Sequence, residues 1–309
     1  MKKNNEPLPY MQRTRDYYKK LGYEKPYEWA RYDSVPFTPL KKPITDCRVA
    51  IVTTAAPYQA DKGDQGPDAP YNAAAKFFTV YSQSTTNTPD LRISHVGIDR
   101  DNTYADDLDA YFPLNALHSA AKKKLIREVG PNFYGLPTNR SQRTTVDTDC
   151  AALTELCQAD AVDVVLLVPN CPVCHQSVSL AARALEQAGI VSVVMGCAKD
   201  IVEHVGVPRF VFNDFPLGNA AGIPHNKQSQ TDILQLALAT AENATDARTT
   251  VQSPYQWNGK PDWKEDYANA DKLSAQEISK RKKIFQDDKA IAKRRLLHAA
   301  NRISDDTNM

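Results

Sequence analysis

The sequence predicts a doubly wound α/β fold: a mainly parallel sheet of about four to six strands with an extended N-terminal arm and a C-terminal helix. Three observations carry this expectation. The run Val162-Asp-Val-Val-Leu-Leu-Val-Pro169 is apolar on both faces, as a strand covered by helices on each side must be. Strand-length apolar runs alternate with helix-length segments through the second half of the chain, the pattern of βαβ units. Pro7, Pro9, Pro26, Pro36, Pro39 and Pro43 exclude a long helix from the first 45 residues.

Taken in order, residues 1–45 form an arm with a short helix near Arg13–Lys20. Its stretch Val35-Pro-Phe-Thr-Pro-Leu40 is extended, because a residue before proline avoids helical backbone. The arm is expected to wrap a core of residues 46–245. That core opens on the β-branched strand Arg48–Thr54, followed by the polar loop Ala55–Pro70. The alternating segment Leu91–Val96 reads as a second strand. Helical spacing recurs within Ala105–Val129, and residues Val146–Ala159 read as a helix capped by Asp147 or Asp149. The central strand 162–169 is followed by a helix over 175–188 with Gly189 as its cap. Short strands at Ile190–Met195 and Arg209–Asn213 and a helix at Thr231–Glu242 complete the core. Residues 246–309 form an appended extension whose basic helix, 275–300, carries Arg281, Lys282, Lys283, Lys289, Lys293, Arg294 and Arg295.

The 309 residues are 42% hydrophobic and 24% charged, enough for a packed core without disulfide staples. The net charge is +1, which gives no bulk field toward nucleic acid or an anionic membrane. No apolar run reaches signal-peptide or membrane-spanning length, so a cytoplasmic location is expected. Six cysteines in this length are not a disulfide framework. Cys47, Cys150, Cys157 and Cys197 have no ligand spacing and read as buried structural thiols.

Cys171-Pro-Val-Cys174 stands apart. The central strand delivers the chain to Asn170, Cys171 falls near the helix N-cap, and Pro172 suits the first helical position. Ligands of open parallel sheets bind beyond the carboxyl ends of the strands. Free N–H groups at a helix start favour a thiolate. Two sulfurs at this spacing can close a disulfide, so that one attacks and the other resolves. His175 could stabilise the thiolate or move a proton, and His95, at the end of a strand, could point into the same cleft. The competing reading is a soft-metal site on Cys171, Cys174 and His95. Haem attachment, which C-x-x-C-H also spells, needs an export signal that is not seen. Other features have plain readings. Asp99, Asp101, Asp106, Asp107 and Asp109 are a solvated acidic loop. Gly218-Asn-Ala-Ala-Gly222 lacks the full nucleotide fingerprint. The basic helix is a solvated face or an oligomer contact, without the aromatic interleaving of a nucleic-acid binder.

At these residues the chain resembles the selenoprotein B family of glycine, sarcosine and betaine reductases and D-proline reductase. The likeness runs from about Pro26 to Leu238. It rests on Pro26-Tyr-Glu-Trp-Ala30, Val35-Pro-Phe-Thr-Pro-Leu40, Val49–Thr54, Ile93-Ser-His-Val-Gly97 with Asp99, Phe112-Pro-Leu114, Val168-Pro-Asn-Cys-Pro-Val-Cys-His-Gln176 and Phe215-Pro-Leu-Gly218. The resemblance implies reductive cleavage of a C–N bond beside a carboxylate, with Cys174 at the selenocysteine position and sulfur in place of selenium. It also implies a partner subunit carrying a pyruvoyl group. Together these readings give a thiol-dependent reductase of a small molecule. Cys174 is its nucleophile, Cys171 its resolving thiol, and His175 and His95 its proton carriers. A thiol or thioredoxin-like donor restores the dithiol, a partner subunit and a homo-oligomer are expected, and the cofactor candidates are a pyruvoyl group on the partner or, in the competing reading, a bound soft metal.

Overall fold

The computed structural model describes residues 6–306 apart from 68, 70, 94, 96 and 258–261, with backbone alone at 288, 292 and 295–306. The arm holds α1 (Tyr10–Lys20) and runs extended into β1 (Arg48–Thr53). Then follow β2 (Ala56–Pro57), β3 (Tyr81–Ser84), β4 (Leu91–Arg92), α2 (Leu114–Lys122), β5 (Glu128–Val129) and β6 (Asn132–Gly135). A helical stretch of α3 (Gln142–Thr144), a π turn (Thr145–Asp149) and α4 (Cys150–Ala159) leads to β7 (Val164–Val168) and α5 (Pro172–Gln187). The remainder is β8 (Val191–Gly196), α6 (Lys199–Val205), β9 (Arg209–Phe212), α7 (Lys227–Asn243), β10 (Thr249–Gln252), α8 (Trp263–Asp266) and α9 (Ala275–Asp306).

The main sheet is eight-stranded, in the order β10-β9-β8-β7-β1-β6-β3, with β5 also beside β1. Every pairing is parallel except β3 against β6. The fold is the expected mainly parallel α/β sheet, but with more strands than the sequence showed. β3 (Tyr-Ser-Gln-Ser) is a mostly exposed edge without apolar alternation, and β5 and β6 are short pieces separated by Gly130-Pro131. The strand expected over 91–96 is confined to Leu91–Arg92, which pairs with β2 in a separate two-stranded sheet. Ser94 and Val96 of that expectation lie outside the described residues. Ser141, rather than Asp147 or Asp149, caps the helical stretch ahead of α4, its hydroxyl accepting the Thr144 N–H at 3.2 Å.

Alternate residues of the central strands feed two cores. Val49, Ile51, Leu166, Val193 and Val211 pack with α2 and α7, while Ala50, Val52, Leu167, Val194 and Phe210 pack with α4, α5 and α6. Helices on both faces are what makes β7 apolar throughout, and all five of its residues are buried. The arm is tied to this core by polar contacts. Arg209 and Glu186 form a fully buried ion pair at 2.7 Å. Glu186 also accepts from the Thr38 and Ser192 N–H groups, and Arg209 donates to the Thr38 carbonyl. The Phe37 ring stacks on the Arg209 guanidinium, 4.2 Å from its centroid. Further up the arm, Gln176 of α5 accepts the Ala30 N–H and donates to the Tyr27 hydroxyl, both at 2.7 Å. Both arm motifs are thus fastened to α5.

Candidate active site

β6, β1 and β7 are parallel, so their carboxyl ends meet at one edge, and the order of the strands reverses about β1. This is where a doubly wound sheet opens a crevice. The Asn170 backbone N–H and side-chain amide both donate to the Thr54 hydroxyl, at 3.1 and 3.2 Å, which ties the end of β7 to the end of β1. Cys171 then takes extended backbone (φ −136°) as the N-cap of α5, and its sulfur accepts the Cys174 N–H at 3.2 Å. Pro172 occupies the first turn, where its missing N–H costs nothing. Cys171 and Cys174 are joined as a disulfide, with Cα atoms 4.9 Å apart. Thr138, on the loop after β6, donates its hydroxyl to the Cys174 sulfur at 3.4 Å.

The loop carrying His95 packs against the dithiol turn. A Cβ at Gly97 would lie 2.7 Å from Pro172 Cδ, so only glycine allows this approach. His95 and Cys171 meet around a cavity of about 70 Å³, lined also by Lys76, Arg140, Thr138 and Tyr71. Burial, with Lys76 and Arg100 nearby, holds the His95 imidazole down at about 3, and a hydrogen bond to the Thr54 backbone works the other way. Among the described residues, its Nδ1 has no hydrogen-bond partner. His95 is therefore a neutral ring with an available lone pair. Burial and Arg140 also bring the Lys76 ammonium down to about 8. Cys171 is 5% exposed and Cys174 is fully buried, so Cys171 is the sulfur nearer the cavity.

His175 is placed differently from His95. One helical residue beyond Cys174 turns the side chain by about 100°, away from the sulfurs and under the sheet edge. Its Nδ1–H donates to the Cys171 carbonyl at 2.8 Å, and its Nε2 accepts the Cys197 N–H at 2.9 Å. Burial holds it down at about 4, hence neutral. With both nitrogens engaged, it ties the start of α5 to the residue after β8.

Cys47, Cys150, Cys157 and Cys197 are free and buried. Burial pushes Cys47 up to about 11, Cys150 and Cys157 up to about 12, and Cys197 higher still. Among the described residues, no group of three or more His, Cys, Asp or Glu side chains is arranged to hold a metal ion. The acidic run departs from a solvated loop at Asp99, which is buried, accepts from the Asn102 amide, and is pushed by burial up to about 6. The Gly218–Gly222 segment is buried, with Asn219 donating to the Thr103 hydroxyl, which leaves no room for a phosphate. Thr138, Arg140 and Lys76 were absent from the sequence reading. They belong to no motif: Thr138 and Arg140 share the loop after β6, and Lys76 follows the turn Ala73–Ala75 far earlier in the chain.

Among the described residues, no helix is long and apolar enough to cross a membrane. No protein-family model matches the chain, and no solved structure does. Two curated proteins are similar. D-proline reductase subunit gamma of Acetoanaerobium sticklandii is 27% identical over 226 residues, covering 72% of this chain and 90% of that one. Glycine reductase complex component B subunit gamma of Symbiobacterium thermophilum is 22% identical over 242 residues, 74% of this chain. The chain spans about half of that second relative, 54% of its length. Both relatives are named as reductase subunits, and the chain carries the resemblance to the selenoprotein B family that its motifs predict.

Proposed function

We propose that this chain is the dithiol-bearing component of a reductase that cleaves a C–N bond beside the carboxylate of a small molecule. The observation that carries the reading is the Cys171–Cys174 pair at a helix start, with Cys171 on the wall of a small cavity that also holds Lys76, Arg140 and a neutral His95. Two cations in a confined space suit a carboxylate, and about 70 Å³ suits a small one.

In the disulfide form Cys171 is the reachable sulfur. A donor thiolate attacks it, the S–S bond breaks, and Cys174 leaves as a thiolate. A second donor thiol displaces the first from Cys171, so the donor ends as a disulfide and the chain as a dithiol. Opening the bond uncovers Cys174, which the resemblance makes the nucleophile. Its sulfur attacks the carbon beside the carboxylate; a C–S bond forms, the C–N bond breaks, and the leaving nitrogen takes the electron pair and a proton. The Cys171 thiolate then attacks Cys174. The S–S bond re-forms, the C–S pair passes to carbon, and carbon takes a proton. Two electrons and two protons are consumed for each C–N bond. The His95 Nδ1 lone pair is the proton relay in this cavity, and His175 positions the Cys171 carbonyl instead of exchanging protons. A partner subunit bearing a pyruvoyl group is part of the reading by resemblance. That group would belong to the partner.

Trapping tests the two roles. Cys174→Ala should hold a donor mixed disulfide on Cys171. Cys171→Ala should hold a substrate adduct on Cys174 when the chain, with its partner subunit if one co-purifies, meets D-proline or glycine. Peptide mass spectrometry locates each adduct. A substrate adduct on Cys171 would reverse the roles, and the absence of both adducts would defeat the proposal.

A further inference from the structure

Cys171 also lines a second, larger cavity of about 570 Å³. Its walls come from α1, the arm, the loop after His95 and α9, outside the central sheet. Among the described residues, its lining cations are Arg15, Lys25, Arg100, Arg140, Arg281 and Lys289; its acids are Asp99 and Asp101. A chain of net charge +1 thus concentrates positive charge around one opening onto its reachable sulfur. Low-dielectric walls focus such a field and raise the local concentration of anions. Tyr17, Tyr27, Trp29 and Phe285 supply apolar flanks to the same space. The smaller cavity on Cys171 has about 70 Å³, too little for anything beyond a small molecule.

From this asymmetry we infer that the larger cavity is the entry port for the electron donor, and that the donor is an anionic peptidic thiol. The inference rests on the redox reading of Cys171 and Cys174 and adds the donor's route and charge. Two donor thiols become one donor disulfide as the Cys171–Cys174 bond becomes two thiols, which balances the two electrons. The two cavities share Arg140, Cys171 and Val173, and the larger adds walls from α1, the arm and α9 that the smaller one lacks. α9 has a role here: Arg281 donates to the Tyr17 hydroxyl at 2.8 Å, and Phe285 packs edge-on against Tyr18 and Tyr23, so the basic helix completes the port wall.

The experiment compares reduction of the Cys171–Cys174 disulfide in the full chain by three thiols of different charge: glutathione (anionic), mercaptoethanol (neutral) and cysteamine (cationic). Rates are read at low salt in the wild type and in Arg15→Glu/Lys289→Glu, two port residues that touch neither sulfur nor substrate cavity. The glutathione rate should fall about tenfold in the variant, the lower end of electrostatic steering, while mercaptoethanol is unchanged and cysteamine speeds up. Added salt should erase the difference. Equal changes for all three thiols, or an unchanged glutathione rate, would overturn the port. Failure of every thiol to reduce the wild-type disulfide would overturn it together with the redox reading beneath it.

Discussion

Thr138→Val removes one hydroxyl and keeps the side chain's shape. The Oγ1 hydroxyl bonds the Cys174 sulfur at 3.4 Å. Once the disulfide opens, that hydroxyl faces a thiolate, and a hydrogen bond to a charged group contributes about 1.5 kcal/mol at the weak end suited to sulfur. That corresponds to about one pKa unit on Cys174. The sign follows directly: the bond favours the anion, so its loss raises the Cys174 thiol. A less stable reduced form also lowers the potential of the Cys171–Cys174 couple, by up to about 30 mV. Thiolate absorbance against pH, in a Cys171→Ala background, reads the first effect; equilibration with redox buffers reads the second. Thr138→Ser should restore both. If Thr138→Val moves neither quantity, or if Thr138→Ser behaves like valine, the hydroxyl plays no part in holding the thiolate.

Other outcomes follow from buried charge. Arg209→Met leaves Glu186 charged, buried and without its partner, so unfolding stability should drop by about 3–5 kcal/mol. Because the same arginine holds Thr38, proteolysis within the arm should accelerate in parallel. Burial pushes Asp149 up to about 6 from its ordinary 3.8, against the hydrogen bond it accepts from the Asn139 amide. A carboxyl raised by folding binds its proton more tightly in the fold, so it lowers stability as pH climbs from about 4 to about 6. Asp149→Asn should therefore be more stable than the wild type at pH 7, on the order of 1–3 kcal/mol, with the two converging near pH 4 in urea unfolding. His175 runs oppositely: held down at about 4, it contributes stability above its unfolded value that is lost as pH falls toward 4. His175→Gln should flatten that acid limb. It should also cost stability at neutral pH through the orphaned Cys197 N–H.

The parts of the fold that were legible are those where burial writes itself into composition. β7 and β8 lie between two helical layers; β7 reads as an unbroken apolar run, and β8 as one interrupted only by Ser192. The start of α5 was legible from chemistry instead: a thiol at the cap and a proline in the first turn specify it locally. β3 and β10 carry no such mark, because exposed edge positions are polar and held by backbone pairing. The site divides the same way. Cys171 and Cys174 announced themselves by spacing, and His95 by following a strand-like segment, although that strand stops at Arg92. Thr138 could have been noticed only as a residue beyond a strand's carboxyl end, and that strand, Asn132–Gly135, was hidden. His175 follows Cys174 directly, yet one residue is a large rotation on a helix, and its ring nitrogens bond the Cys171 carbonyl and the Cys197 N–H.

The account stands on Cys171 and Cys174 acting as one reversible two-electron couple. Equilibrating the intact chain in graded thiol–disulfide buffers, then alkylating and mapping every cysteine by mass spectrometry, measures this directly. Cys171 and Cys174 should titrate together, with a tenfold change in their ratio for about 30 mV, while Cys47, Cys150, Cys157 and Cys197 stay reduced throughout. A pair that never opens, that opens without re-forming, or that yields to disulfides involving the other four cysteines would contradict it.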